Sequence, residues 1–281
     1  MKVITSRENL RHYRSMLLTE GGTVGFVPTM GALHQGHLSL LDAAALVSDH
    51  VIVSIFVNPT QFNDPNDLRN YPRNLEKDLA LLAGQGKTAA VFAPEVEDIY
   101  PEPDLRRFDF GPLEKVMEGA HRPGHFNGVA QVVSKLFNIV EPHKAFFGEK
   151  DFQQLAVIRQ LVLQEQSKIE IVPCPIIRES DGLAMSSRNV LLSVEERLHA
   201  AHISGILFKA RELRRTMKVD LLTEWVVRQL NNDPFLKVEY FQIVDDKTLM
   251  PVDSWTQSGG KQGCVAVKIG KVRLIDNIKF D

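Results

Sequence analysis

What most limits the fold of this chain is the order in which two hydrophobic rhythms alternate. Short, mainly apolar runs, Val24–Val27, the β-branched Val51–Val57, Ala89–Ala93, Ala145–Phe147 and Ile169–Val172, are separated by segments with helical spacing. Those segments are Leu38–Val47, Leu75–Leu82, Val129–Val140 and Phe152–Leu163. Strands joined through helices pair in parallel, and the right-handed crossover puts the helices on the sheet faces. The expectation is α/β: a Rossmann-like parallel sheet in an amino-terminal domain, residues 1–176. Ligands of such sheets bind beyond the carboxyl ends of the strands, so the segment after each strand is where chemistry is sought.

After Ile177 the rhythm changes. Ser193 with Glu196 makes a capping box that predicts one long helix to about Thr216, and a second helix is expected over Leu221–Leu230. Strand-like runs follow at Val238–Val244, Val265–Ile269 and Val272–Ile275, the last two separated by Gly270-Lys271, a hairpin turn. This is the grammar of a smaller α+β carboxyl-terminal domain, residues 177–281.

The first strand runs into Met30-Gly31-Ala32-Leu33-His34-Gln35-Gly36-His37, with a helix directly behind it. Such a junction offers backbone N–H groups and the positive end of a helix dipole, both suited to phosphate. His34 and His37 add ring donors that can become cationic as phosphate charge builds. The same pair would also serve as zinc ligands or as ordinary surface histidines, although no further ligand stands at metal spacing. Gly86-Lys87-Thr88 ends like a phosphate-binding P-loop, but Leu81 occupies the place of its first glycine and a strand follows, so it reads as a surface turn. Other candidates come after later strands. Gln61, in Asn58-Pro59-Thr60-Gln61, has hydrogen-bonding capacity for a small polar substrate. Gly148-Glu149-Lys150-Asp151 offers a lysine for phosphate. Met185-Ser186-Ser187-Arg188 sets two hydroxyls beside a guanidinium, and Arg122 and His125 precede another helix.

Composition narrows the function classes. Hydrophobic residues make up 44% and charged residues 24%, with a net charge of −2, which argues against a partner held by phosphate neutralisation such as nucleic acid. Two cysteines cannot build a disulfide framework or a four-thiolate zinc site. Neither the polar first residues nor any apolar run reads as a signal peptide or a membrane span. A cytoplasmic protein without a membrane partner is expected.

Several segments together resemble one family. Pro28 to His37, Phe56 to Pro59 with Gln61-Phe62, Tyr71-Pro72-Arg73, Arg122 to Phe126, Phe146 to Gln154, and Asp181-Gly182-Leu183-Ala184-Met185-Ser186-Ser187-Arg188-Asn189 occur in the order and approximate spacing of the pantothenate synthetase (pantoate–β-alanine ligase) family, within the nucleotidylyltransferase superfamily. The resemblance covers the amino-terminal two-thirds. It implies ATP-dependent ligation of (R)-pantoate and β-alanine through a pantoyl-adenylate, with release of AMP and pyrophosphate. It implies that Met30, Gly31, Ala32, Leu33, His34, Gln35, Gly36 and His37 lie along ATP with Gly148, Glu149, Lys150, Asp151, Ile177, Met185, Ser186, Ser187 and Arg188. His37, His34, Lys150, Ser187 and Arg188 form the implied catalytic set, while Gln61 and Gln154 hold pantoate and Gln61 also faces β-alanine. Mg²⁺ accompanies ATP without dedicated protein ligands, the partners are the small-molecule substrates, the second domain closes over the site, and the assembly is a homodimer. Gln35 stands where family members often carry glutamate. No role is assigned to Arg122, His125 or the Asn63–Asp67 loop.

Overall fold

The computed structural model describes residues 1–19 and 21–280. In chain order the main elements are β1 (Lys2–Ile4), α1 (Arg7–Thr19), β2 (Val24–Thr29), α2 (Gln35–Val47), β3 (His50–Ile55), α3 (Pro65–Asn70), α4 (Leu75–Gln85), β4 (Ala90–Phe92), α5 (Val96–Ile99) and α6 (Met117–His121). They continue with α7 (His125–Val140), β5 (Lys144–Gly148), α8 (Phe152–Gln164), β6 (Glu170–Cys174), α9 (Val194–Ala200), α10 (His202–Leu213), α11 (Val219–Asn231), β7 (Leu236–Asp245), β8 (Lys261–Ile269) and β9 (Val272–Phe280).

The chain forms two compact units. The first comprises Met1–Phe110, Arg122–Glu149 and Val157–Pro175, and the second Gly111–His121, Lys150–Ala156 and Ile176–Asp281. In the first unit six strands pair in the order β1-β4-β3-β2-β5-β6, all parallel. The central strands are buried on both faces, which is why they read as continuous apolar runs: Val24 to Val27 and Val51 to Ser54 are all buried. Phe26, Ile52, Phe92 and Phe146 fill the space between sheet and helices, and Leu41 and Ala44 bring α2 onto the sheet. The chain runs outward from β2 through β3 to β4, then returns to place β5 on the other side of β2. The order therefore reverses between β2 and β5, which pair over their amino-terminal residues, Gly25 opposite Lys144 and Phe26 opposite Ala145. That reversal is where an open α/β sheet leaves a crevice.

The second unit is an antiparallel sheet in the order β7-β8-β9, with α10 and α11 against it around Ile203, Leu207, Leu222, Val226, Val265, Val267 and Leu274. Ile269 pairs with Val272, so Gly270-Lys271 makes the expected hairpin. The helix foreseen from Ser193 to Thr216 is instead two helices, α9 and α10, with Ala201 between them. The capping box at Ser193 and Glu196 is present. The segment containing α6 joins this unit through Glu118, which accepts hydrogen bonds from Tyr240 at 2.7 Å and from Arg273 at 2.7 and 2.8 Å.

Candidate active site

At the carboxyl end of β2 the backbone turns through two consecutive left-handed residues, Gly31 (φ 79°) and Ala32 (φ 49°). Glycine adopts that region freely, whereas alanine does so at a cost of about 1–2 kcal/mol. The compensation comes from Asp78 on α4. Its two carboxylate oxygens accept the N–H of Ala32 at 2.9 Å and of Leu33 at 2.7 Å, and the residue is only 3% exposed. Gly31 N–H donates to Thr29 Oγ1 at 3.2 Å, and Thr29 is itself tied to the Ser54 carbonyl at 2.7 Å. The backbone donors that the sequence offered to phosphate are thus largely committed within the protein. They shape the loop.

The histidines complete it. His34 is the N-cap of α2; its Nδ1 accepts from Gly36 N–H at 3.1 Å, and His37 Nδ1 accepts the His34 N–H at 3.3 Å. This is a reciprocal capping box made of imidazoles, with ring centroids 4.1 Å apart. An Nδ1 that accepts a hydrogen bond carries no proton, so both rings are held as the Nε2–H tautomer. Each then has one directed N–H donor, on Nε2. Both imidazoles thus cap the start of α2 and keep Nε2–H as a donor.

Gln61 closes the 3₁₀ turn Pro59–Gln61 that follows β3 and is buried. Asn58 donates to Gln61 Oε1 at 3.2 Å and to the Gly128 carbonyl at 3.1 Å, and Gln61 Nε2 lies 3.0 Å from Met30 Sδ. The structure thus brings Gln61 against the first residue of the histidine loop. Thioether sulfur is a weak acceptor, so this amide is readily transferred to a substrate oxygen. Behind it stands buried His125, whose Nδ1 lies 2.7 Å from the Gln61 carbonyl and whose Nε2 lies 3.1 Å from Arg122 Nη1. A carbonyl only accepts, so Nδ1–H donates to Gln61 and Nε2 accepts from Arg122. Arg122 and His125 therefore position Gln61. Their spacing of three before a helix was the only sequence signal for this. Gly148 ends β5 and Glu149 follows it.

The second unit holds the remaining predicted residues. Lys150 and Asp151 lie 3.9 Å apart at their charged ends. The Lys150 carbonyl is fixed by Asn277 Nδ2 at 2.9 Å, and Asn277 in turn accepts from Gln262 at 2.6 Å. On α8, Gln153 is locked by its bonds to Leu113, Val116 and Glu118. Gln154, half-buried, makes no side-chain hydrogen bond among the described residues. Ile177 and Met185 meet through Met185 N–H to Ile177 O at 3.0 Å, and Arg178 bridges to Ala184. A bidentate pair of Arg178 with buried Asp276, at 2.7 and 2.9 Å, anchors this hairpin. Ser186 caps the 3₁₀ turn Ser187–Leu191 by accepting from Arg188 N–H at 3.2 Å, which fixes the backbone that carries Ser187 and Arg188.

No thiol is available as a nucleophile. Burial, with Glu149 nearby, pushes Cys174 up to about 11, and burial pushes Cys264 up as well. The chemistry open to these groups is electrostatic: in the first unit imidazole N–H donors suited to phosphate and the Gln61 carboxamide for a polar substrate, and in the second an ammonium, hydroxyls, a guanidinium and the Gln154 carboxamide.

The comparisons bear directly on which substrates these are. The family model for pantoate–β-alanine ligase matches residues 2–279. A pantothenate synthetase from Bacteroides fragilis is 55% identical over 280 residues, covering 100% of this chain and 99% of that protein. One from Porphyromonas gingivalis is 54% identical over 281 residues with full coverage of both. Among solved structures, a pantothenate synthetase from Thermus thermophilus superposes with a TM-score of 0.92 at 43% identity, covering 100% of this chain and 99% of that one. The Francisella tularensis pantoate–β-alanine ligase, solved with β,γ-ATP and β-alanine, gives 0.84 at 37%, covering 100% and 98%.

Proposed function

Because the chain belongs to the pantoate–β-alanine ligase family, and is thus an enzyme that forms pantothenate from pantoate and β-alanine with ATP through an adenylate, we propose that the residues described above carry that chemistry in two steps. In the first, a carboxylate oxygen of pantoate bonds to the α-phosphorus of ATP and the bond to the β-phosphate oxygen breaks, releasing pyrophosphate. Negative charge grows on the phosphate oxygens as this happens. His34 and His37 meet it with Nε2–H donors, and Lys150, Ser187 and Arg188 with ammonium, hydroxyl and guanidinium groups. In the second, the unprotonated amine of β-alanine attacks the acyl carbon and AMP departs, a step that needs placement above all.

The carrying observation is the contact of Gln61 with Met30. Adenylation requires the acceptor carboxylate next to the α-phosphate. A carboxamide pressed against the opening residue of the nucleotide loop, and loosely held by sulfur, supplies a seat for pantoate at that place. Gln154 is its proposed partner, and Gln61 also places β-alanine. The rest of Met30–His37, with Gly148, Glu149, Asp151, Ile177, Met185 and Ser186, is proposed to line ATP. Residues 1–176 are proposed as the nucleotide and pantoate platform, and 177–281 as the domain that completes nucleotide binding.

Mg²⁺ is proposed as the companion of ATP. Mg²⁺ is usually bound through substrate phosphates and water with few protein ligands. That suits a loop whose neighbouring carboxylate, Asp78, already accepts a backbone N–H on each oxygen. When bound, the ion neutralises polyphosphate charge. A homodimer in the cytoplasm is proposed from the family resemblance; no described helix is long and apolar enough to cross a membrane. Pantoate labelled with ¹⁸O in its carboxyl group tests the adenylate directly. One label is expected in the AMP phosphate, whereas label in inorganic phosphate with ADP as co-product would overturn it.

A further inference from the structure

The helical layer of the second unit carries a trio that this reaction does not use. Among the described residues, His199, His202 and Asp233 are a group whose potential ligand atoms all lie within 4.8 Å of one another. His199 is in the last turn of α9, His202 opens α10, and Asp233 follows α11. Nδ1 of His199 and Nδ1 of His202 lie 2.8 and 2.6 Å from the same oxygen, Oδ2 of Asp233. The other oxygen, Oδ1, accepts the backbone N–H of Phe235 at 2.9 Å. The Phe235 ring stacks on His199, with centroids 4.2 Å apart and planes at 21°. The Asp233 side chain is 8% exposed, and that of His202 is 58% exposed. One carboxylate and one imidazole are thus fixed from behind, and a second imidazole is hinged on the side that faces water.

We propose that His199, His202 and Asp233 form a binding site for a late first-row divalent transition-metal ion of the zinc type, with water in its remaining positions. Two imidazole nitrogens and one carboxylate oxygen are the donor set such ions prefer, whereas magnesium and calcium take oxygen ligands. The geometry needs little change. Zinc bonds of about 2.0–2.2 Å in a tetrahedral arrangement set ligand atoms about 3.3 Å apart. Each nitrogen must therefore draw back from Oδ2 by roughly half an ångström while the two nitrogens approach. The exposed ring of His202 has the freedom for that movement. Each neutral ring carries its proton on Nε2 when Nδ1 takes the metal, so the Nδ1–H bonds to Asp233 are exchanged for metal bonds. The Phe235 N–H and ring supply the outer support that orients metal ligands. A bound ion would tie the α9–α10 junction to the end of α11. Asp233 lies 34 residues beyond His199, which is why metal spacing along the sequence did not reveal the group.

The test uses the full chain without nucleotide in a non-chelating buffer, titrated with Zn²⁺ alone and followed by calorimetry. One ion per chain is expected. His202→Ala, a change at an exposed side chain, should weaken binding at least about tenfold, as even outer-shell changes do in metal sites. Asp233→Asn should do the same, while His37→Ala should bind Zn²⁺ as the parent does. Zn²⁺ should raise the melting temperature of the parent and not that of His202→Ala, and pantothenate formation by His202→Ala without Zn²⁺ should be unchanged. No uptake at millimolar Zn²⁺, or uptake that survives His202→Ala and disappears in His37→Ala, would overturn the proposal.

Discussion

Asp78 is the residue whose loss should separate loop shape from loop chemistry. It is assigned no role in the reaction itself, yet its carboxylate holds the backbone of two residues proposed to line ATP, Ala32 N–H at 2.9 Å and Leu33 N–H at 2.7 Å, across more than forty residues of chain. A hydrogen bond to a charged group is worth about 1.5–3 kcal/mol, so two such bonds contribute about 3–6 kcal/mol if the loop stays in place. In Asp78→Ala the loop need not stay. Ala32 sits at φ 49°, and its escape from the left-handed region recovers about 1–2 kcal/mol, so the loop relaxes and the net loss of stability falls to about 2–4 kcal/mol. The relaxation displaces His34 and His37, and a displacement near 1 Å costs about 10²-fold in rate. The expected result is a folded Asp78→Ala enzyme whose kcat/KM for ATP is down about 10²-fold, with the fall in kcat exceeding the rise in KM. Asp78→Asn keeps one acceptor oxygen and should fall between. Steady-state kinetics at varied ATP, alongside urea unfolding and amide exchange at Ala32 and Leu33, provides the assay. Faster exchange with unchanged kcat/KM for ATP would refute the link between loop shape and catalysis. Unchanged exchange would refute the clamp itself.

Three further outcomes follow from named contacts. Gly128→Ala would drive a methyl into the Thr60 carbonyl oxygen and to 2.8 Å from Gln61 Cα, backbone that cannot yield cheaply; stability should fall by about 1–3 kcal/mol and KM for pantoate should rise more than KM for ATP. His37→Ala removes both a cap and a donor, so rapid-quench adenylation should slow by about 10²–10³-fold while stability drops by only about 1 kcal/mol; a wild-type adenylation rate in the folded variant would take His37 out of the reaction. Hydrogen bonding from Arg106 holds Asp104 at about 2, and a depressed carboxyl stabilises the fold above its unfolded value and loses that effect as pH falls toward 2; Asp104→Asn should therefore be less stable than the parent by about 1 kcal/mol at neutral pH, after allowance for a half-exposed Arg106 partner, with the gap closing below pH 4.

How much of this could be read from residues alone depended on the kind of signal. Strands buried on both faces announce themselves as apolar runs, so β2 to β6 and their parallel order were legible, and with them the carboxyl-edge loops. β1 and α1 were not read: the strand has three residues at the sheet edge, and α1 buries only Leu10, leaving too little periodicity. The break at Ala201 carries neither proline nor glycine and keeps helical angles (φ −64°, ψ −24°), so nothing local marks it. The histidine loop was singled out because its residue types suit phosphate. The Asp78 clamp and the imidazole capping box were not foreseen, since they depend on contacts that spacing does not encode. The same holds for Arg122 and His125, whose role becomes visible only when the Gln61 carbonyl stands 2.7 Å away.

The central claim, that these residues drive ligation through a bound acyl-adenylate, is tested most directly by withholding the amine. Enzyme mixed with ATP, Mg²⁺ and pantoate, without β-alanine, should release pyrophosphate in a single burst equal to the concentration of active sites. Later addition of β-alanine should then discharge AMP and pantothenate and restore steady turnover. Continuous pyrophosphate release that ignores β-alanine, or the appearance of ADP and phosphate with no pyrophosphate, would contradict it.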